Sequence, residues 1–250
     1  MSEPRLVVNA ALAPAAAHEA AARILPEAGF REAQDAISAW PGYAPTPLVE
    51  LPGVARRLGV GTVHLKDEAG RFGLGSFKSL GGAYAVYRLL ARAVADARGV
   101  TPSAAELMAG EHRDVAAGIT VTCTTDGNHG RSVAWGAREL GCRCVIYLHE
   151  GVSKGREAAI RAYGAEIVRA GATYDDSTRI CAADAEREGR HVVSDTATEG
   201  APQPVVDIMQ GYRVLAEEAR RGLPPGELPT HVFLQVGCGG FAAAIAAHLL

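Results

Sequence analysis

The 250-residue sequence has no apolar run approaching the roughly 20 residues that a membrane-spanning helix needs. It also has no excess of either charge. Its 25 Lys and Arg stand against 28 Asp and Glu, a formal net charge of -3, so it offers no electrostatic footprint for nucleic acid or an anionic membrane. Cysteine is scarce: five residues (Cys123, Cys142, Cys144, Cys181, Cys238) with neither C-x-x-C spacing nor a His/Cys cluster. That suggests neither a disulfide framework nor a metal site of the zinc type, and fits a reducing cytoplasm. The alanine-rich stretch from Ala10 to Ala22 is broken by Pro14, His18 and Glu19, unlike the uninterrupted apolar segment of a signal peptide. What is present is the composition of a folded protein. At 48% hydrophobic and 21% charged residues the chain is neither fibrous nor disordered, and its length suffices for one large or two small domains.

Short apolar runs alternate with longer periodic ones, the pattern of repeated β-α units around a mostly parallel sheet. Strands are predicted at 62–65, 119–123, 143–148, 166–168, 191–193 and 231–236. Helices are predicted at 79–97, 130–140, 154–163, 174–188 and 207–221. Ser153 is placed to cap one helix, and Asp175 and Asp176 put negative charge in the first turn of another, where the helix dipole favours it. Residues 99–114 and 222–230 read as linkers, the second because Pro224, Pro225, Gly226 and Pro229 exclude regular structure. They bracket a middle block that could form its own small domain. The last segment, from Phe241 to Leu250, begins a helix and stops on apolar residues without a cap, as if it packed against something further or belonged to a longer chain.

Three segments could carry chemistry, each where a strand or loop meets a helix. In Gly75-Ser76-Phe77-Lys78-Ser79-Leu80-Gly81-Gly82, a lysine stands at a helix N-terminus. The macrodipole there disfavours the ammonium, and a neutral amine is what a Schiff base requires. The plain alternative is a surface lysine that reaches water. In Thr124-Thr125-Asp126-Gly127-Asn128-His129-Gly130, glycine and asparagine permit a turn whose N–H groups converge, with the Asp126 carboxylate and Asn128 amide facing the same space. Asp-Gly-Asn is equally ordinary turn chemistry, and His129 reads as a packed or capping residue. In Val236-Gly237-Cys238-Gly239-Gly240-Phe241, bare glycine N–H groups at a helix start form a phosphate cradle. The spacing also satisfies a relaxed dinucleotide fingerprint, and a ligand-free turn is the bland reading. Taken together, an imine-forming lysine, an amide with a carboxylate, and a phosphate cradle are what a protein supplies to use pyridoxal phosphate as an electron sink.

These segments resemble the fold-type II pyridoxal-phosphate enzymes, the group of tryptophan synthase β, threonine dehydratase and serine racemase, and within it the diaminopropionate ammonia-lyases. The likeness runs from Pro41-Gly-Tyr-Ala-Pro-Thr-Pro-Leu48 through His64-Leu-Lys-Asp-Glu68, the Lys78 segment and the Asp126 turn. It continues through Gly171-Ala-Thr-Tyr-Asp-Asp176 and Ile208-Met-Gln-Gly-Tyr212 to the glycine loop, and covers nearly the whole chain. It implies a tryptophan synthase β-like α/β fold, with parallel twisted sheets flanked by helices and a large domain left incomplete at the C-terminus. Residues 1–114 would begin the large domain, 115–204 would form the small one, and 205–250 would return to the large domain with the phosphate loop.

By the same resemblance Lys78, next to Phe77, would hold pyridoxal 5'-phosphate covalently. Asn128 would bond the ring hydroxyl, and Gly237, Cys238, Gly239 and Gly240 would hold the phosphate. Asp126 stands where dehydratases and serine racemase carry serine. A carboxylate there suits a substrate whose β-group is an ammonium, and Asp195 matches a second acidic position used for the opposite enantiomer. The implied reaction is α,β-elimination of ammonia from 2,3-diaminopropionate by a cytoplasmic homodimer. At Thr198 and Ala201 the family pattern leads us to expect aromatic residues. Further sheet, cofactor contacts and the group facing the pyridine nitrogen are expected beyond residue 250. Three alternatives stand beside this reading: a serine or threonine dehydratase or racemase on the same scaffold, a nicotinamide-dependent oxidoreductase built on the glycine loop, and a shortened chain with little activity.

Overall fold

Runs of β-branched and apolar residues in the middle of the chain form a parallel sheet in the computed structural model, which describes residues 14–196 and 202–249. From the N-terminus come α1 (Pro14–Ile24), α2 (Glu27–Ser38), β1 (Leu48–Glu50), α3 (Pro52–Leu58) and β2 (His64–Lys66). After a 3₁₀ turn (Glu68–Gly73) follow α4 (Ser79–Arg98), α5 (Ala104–Ala109), α6 (Arg113–Ala117), β3 (Thr120–Thr124) and α7 (Asn128–Leu140). The remainder is β4 (Arg143–Leu148), α8 (Lys154–Arg161), β5 (Glu166–Arg169), α9 (Tyr174–Glu188), β6 (His191–Val192), α10 (Gln203–Gly222) and α11 (Gly240–Leu249). β1 and β2 pair antiparallel, and the other strands form a four-stranded parallel sheet in the order β5-β4-β3-β6.

Alternation along β4 shows why that sheet is covered on both faces. Cys144, Ile146 and Leu148 point into the main core with α7, whereas Val145 and Tyr147 point to the other face and meet Cys181 of α9. Ile146 and Leu148 are fully buried, each stabilising the fold by about 2 kcal/mol. The predicted Ser153 cap forms. The Ser153 hydroxyl accepts from the Arg156 N–H, and Thr173 caps α9 with Asp175 and Asp176 in its first turn.

The site-bearing helices pack backbone to backbone. A Cβ on Gly136 of α7 would lie 2.7 Å from the Ala83 Cα of α4, and one on Gly211 of α10 would collide with the Leu80 carbonyl. Small residues at these crossings hold α4 between α7 and α10. α10 is further anchored by buried charges. Glu218 accepts from Lys66 Nζ at 2.6 Å, from Arg71 Nη1 at 2.8 Å and Nη2 at 2.6 Å, and from the Tyr43 hydroxyl at 2.9 Å.

Two sequence expectations are corrected. Residues 231–236 form no strand: Val232, Phe233 and Val236 are exposed, and no segment among the described residues lies alongside to donate or accept ladder hydrogen bonds. The 99–114 linker contains α5, which Ser103 and Glu106 start with a reciprocal capping box, and the first residues of α6. Thr198 and Ala201 lie outside the described residues.

Candidate active site

Lys78 is the N-cap residue of α4. Its backbone is fixed from both sides: its N–H donates to Ser76 Oγ at 3.2 Å, and its carbonyl accepts from the Ser132 hydroxyl of α7 at 2.8 Å. Ser132 Oγ also accepts from the Ala83 N–H at 3.0 Å, which locks α7 against the start of α4. The Lys78 ammonium lies 2.6 Å from Asp195 Oδ2 and 5.5 Å from the ring centres of Phe77 and Tyr212. The chain has three lysines, Lys66, Lys78 and Lys154. Lys66 is consumed by the buried Glu218 network and Lys154 pairs with Glu157 at the surface, so Lys78 is the one held inside a prospective site.

Asp195 follows β6 at the C-terminal edge of the parallel sheet, where the strand ends of such folds leave a crevice. Burial acts to raise its carboxyl pKa, but His129 and Lys78 outweigh that and hold it below the ordinary value. His129 is itself buried, with Nε2 donating to the Val193 carbonyl at 2.8 Å. Its Nδ1 lies 3.8 Å from Asp195 Oδ2 and has no hydrogen-bond partner among the described residues. Tyr212, also buried, has its hydroxyl unpartnered among the described residues, and burial pushes that hydroxyl's pKa well above its ordinary value.

The glycine loop comes to the same place. Phe241, in the first turn of α11, stacks on Phe77 at 4.1 Å and meets Tyr212 edge-on at 5.7 Å. The Thr196 hydroxyl lies 3.2 Å from Cys238 Sγ, and a Cβ on Gly240 would sit 3.8 Å from the Asp195 carbonyl. Gly239 has φ of +89°, a conformation that favours glycine, and a Cβ on Gly237 or Gly239 would meet nothing within 4 Å. At Gly237 and Gly239 the loop thus presents backbone to open space just before a helix start. Lys78, Phe77, Asp195, Cys238 and Gly240 are brought together. Asp126 is not in contact with them: it lies exposed on the turn after β3 and pairs with His149 at 2.8 Å. Asn128 opens α7 on the same turn and is exposed. A separate cleft at the opposite end of the strands, lined by Thr120, Arg143, Tyr163, Glu166 and Arg190, contains none of these groups.

Over residues 39–250 the chain matches the pyridoxal-phosphate dependent enzymes. It belongs to that family. Within the pyridoxal-phosphate enzymes it is 42% identical over 212 residues to the diaminopropionate ammonia-lyase of Escherichia coli K12, covering 84% of this chain and 52% of the relative. The Salmonella typhimurium enzyme of that name is 42% identical over 208 residues, covering 82% and 51%. Among solved structures, the E. coli diaminopropionate ammonia-lyase in apo form aligns with a TM-score of 0.80 and 40% identity over 90% of this chain and 61% of that one. The same enzyme in complex with an aminoacrylate-PLP azomethine reaction intermediate gives 0.80 and 39%, over 90% and 56%. The processed form of threonine deaminase isoform 2 from Solanum lycopersicum, at 24% identity and a TM-score of 0.62 over 89% of this chain and 52% of that one, shares the fold. The chain spans about half the length of the curated relatives it matches. The architecture is that of the fold-type II, tryptophan synthase β-like enzymes.

Three residues of the site carry no functional role in the sequence alone. Tyr212 lies in a family-like segment without an assigned part, and His129 reads there as packing. His149 stands immediately after β4, and the register pairing Thr124 with Tyr147 is what sets it beside Asp126.

Proposed function

We propose that this chain carries the cofactor-holding half of a pyridoxal-phosphate-dependent ammonia-lyase, which takes 2,3-diaminopropionate and one water to pyruvate and two molecules of ammonia. The observation that carries the reading is the meeting of Lys78, Asp195 and the glycine loop at one edge of the sheet. The residues present fit the cofactor. An accessible lysine amine faces a carboxylate, a loop with glycine at 237, 239 and 240 opens a helix, and the buried Tyr212 hydroxyl and His129 Nδ1 are left without protein partners among the described residues. In this reading Lys78, beside Phe77, holds the aldehyde carbon, Asn128 bonds the ring hydroxyl, and the backbone of Gly237, Cys238, Gly239 and Gly240 takes the phosphate. When bound, the cofactor supplies an electron sink for charge developed at the substrate's α-carbon.

The chain's own groups do the proton work. Asp195, held ionised beside Lys78 Nζ, orients that side chain and is a base for the α-hydrogen on its side. Asp126 complements the β-ammonium and exchanges protons on the other. The serine of the dehydratases could not supply that charge, and the 42% identity over most of this chain to diaminopropionate ammonia-lyases supports the same choice. The reading places the protein in the cytoplasm as a homodimer, with residues 115–204 as a small domain between 1–114 and 205–250. The five free cysteines and the parallel sheet confined to 115–204 accord with this. Among the described residues no helix is long and apolar enough to cross a membrane.

Coupled assays of pyruvate and ammonia with diaminopropionate and with serine test the proposal. The expected result is two ammonia per pyruvate from diaminopropionate, with Asp126→Ser shifting the preference toward serine. Serine consumed in preference by the unaltered protein would overturn it.

A further inference from the structure

The turn that bears Asp126 has a partner outside the three sequence motifs. β3 and β4 run parallel, with Thr124 opposite Tyr147, so the residues two positions further on, Asp126 and His149, emerge side by side at the C-terminal edge of the sheet. Thr125 shapes the first of these exits: its hydroxyl accepts from the Gly127 and Gly130 N–H groups at 3.0 Å each, which folds the turn back into α7. His149 is held from its other side, because the Gly151 N–H donates to its Nδ1 at 3.1 Å. An Nδ1 that accepts cannot carry the proton of a neutral imidazole, so the proton sits on Nε2, and Nε2 lies 2.8 Å from Asp126 Oδ1. The backbone thereby selects the tautomer that donates to the carboxylate. One oxygen of Asp126 is engaged, and the other has no hydrogen-bond partner among the described residues.

We propose that His149 is a positioning residue: through Nε2–H it fixes the Asp126 carboxylate in the single orientation from which that carboxylate exchanges protons with substrate. The inference rests on the ammonia-lyase reading for the role of Asp126, while the pairing itself stands on the geometry alone. His149 does not touch the reacting atoms. It restricts the rotation of an otherwise exposed side chain, and small losses of alignment at a reacting group lower rates steeply.

Two measurements test this on the purified full chain. The first needs neither cofactor nor turnover. In the chain labelled with ¹⁵N-histidine, the His149 ring, assigned by its disappearance in His149→Gln, is expected as the Nε2–H tautomer. Its Nε2 proton should be protected from solvent exchange, and that protection should be lost in Asp126→Ala. An Nδ1–H tautomer, or an Nε2 proton indifferent to Asp126→Ala, overturns the pairing. The second compares the two enantiomers of diaminopropionate with cofactor added. Asp126→Asn and His149→Ala are expected to slow the same enantiomer, His149→Ala by about tenfold in kcat with KM little changed. The other enantiomer should stay within about twofold, and His149→Gln, which keeps a donor, should recover much of the loss. Equal slowing of both enantiomers by His149→Ala assigns a merely structural role and refutes the proposal. If Asp126→Asn leaves both enantiomers untouched, the role of Asp126 fails and the positioning proposal falls with it, whatever the tautomer shows.

Discussion

Replacing Asp195 by asparagine removes one negative charge and little volume, and the structure sets what that should do. The carboxylate is 2.6 Å from Lys78 Nζ and 3.8 Å from His129 Nδ1, with Asp195 12% and Lys78 24% exposed. A charge-assisted hydrogen bond at that burial contributes about 2 kcal/mol, more than a surface pair and less than a fully buried one. Because the folded carboxyl pKa lies below its ordinary 3.8, this contribution is complete above that value and is lost as the pH falls through the lower folded pKa. Urea titrations of wild type and Asp195→Asn should therefore differ by about 2 kcal/mol at pH 7. That is roughly a 0.7 M shift in midpoint for a slope of about 3 kcal/mol/M, and it should shrink at pH 3. Adding Lys78→Met to Asp195→Asn should cost little beyond either single change, since the pair is already broken. Equal midpoints at pH 7, or a difference unchanged at pH 3, would refute the claim that a partly buried ion pair joins these residues.

Two further substitutions test the frame that carries the site. Gly211→Ala drives a methyl into the Leu80 carbonyl where α10 crosses α4, and should lower stability by about 3 kcal/mol in the same titration while displacing Tyr212 from Lys78. A stability within 0.5 kcal/mol or so of wild type would show that the crossing is looser than described. Glu218→Ala removes the nearer of the two carboxylates that Lys66 and Arg71 share, one their hydrogen bonds hold below the ordinary pKa despite burial, and leaves them Glu68 at 3.7 and 2.7 Å. Its expected loss is about 3 kcal/mol, and a neutral result would mean that Glu68 alone suffices for those cations.

The sequence is most transparent where a local cause suffices. β4 falls on its predicted bounds because a contiguous apolar run flanked by Gly141 and the His149-Glu150-Gly151 turn has no competing arrangement, and α9 does so because Asp175 and Asp176 put negative charge in its first turn. Residues 231–236 have the composition of a strand, but a strand exists only with a neighbour, and hydrogen bonding between segments is invisible in composition. The Lys66, Arg71 and Glu218 network joins residues up to 152 positions apart, so no window along the chain could reveal it. The site follows the same division. Lys78 and the glycine loop around Cys238 stand out by type and local setting, whereas Asp195 is singled out only by the family resemblance. His149 beside Asp126 depends on the register of two strands, and the unpartnered Tyr212 hydroxyl depends on how α10, α4 and α11 close around it.

Whether Lys78 is the lysine that meets pyridoxal phosphate decides the functional reading. Adding the cofactor, recording the visible absorption, reducing with borohydride and mapping the modified peptide by mass spectrometry asks this directly. A yellow protein that bleaches on reduction, with the pyridoxyl group on the peptide containing Lys78 and absent from Lys78→Ala, is the predicted result. Covalent label on Lys66 or Lys154, or label that persists in Lys78→Ala, would contradict it.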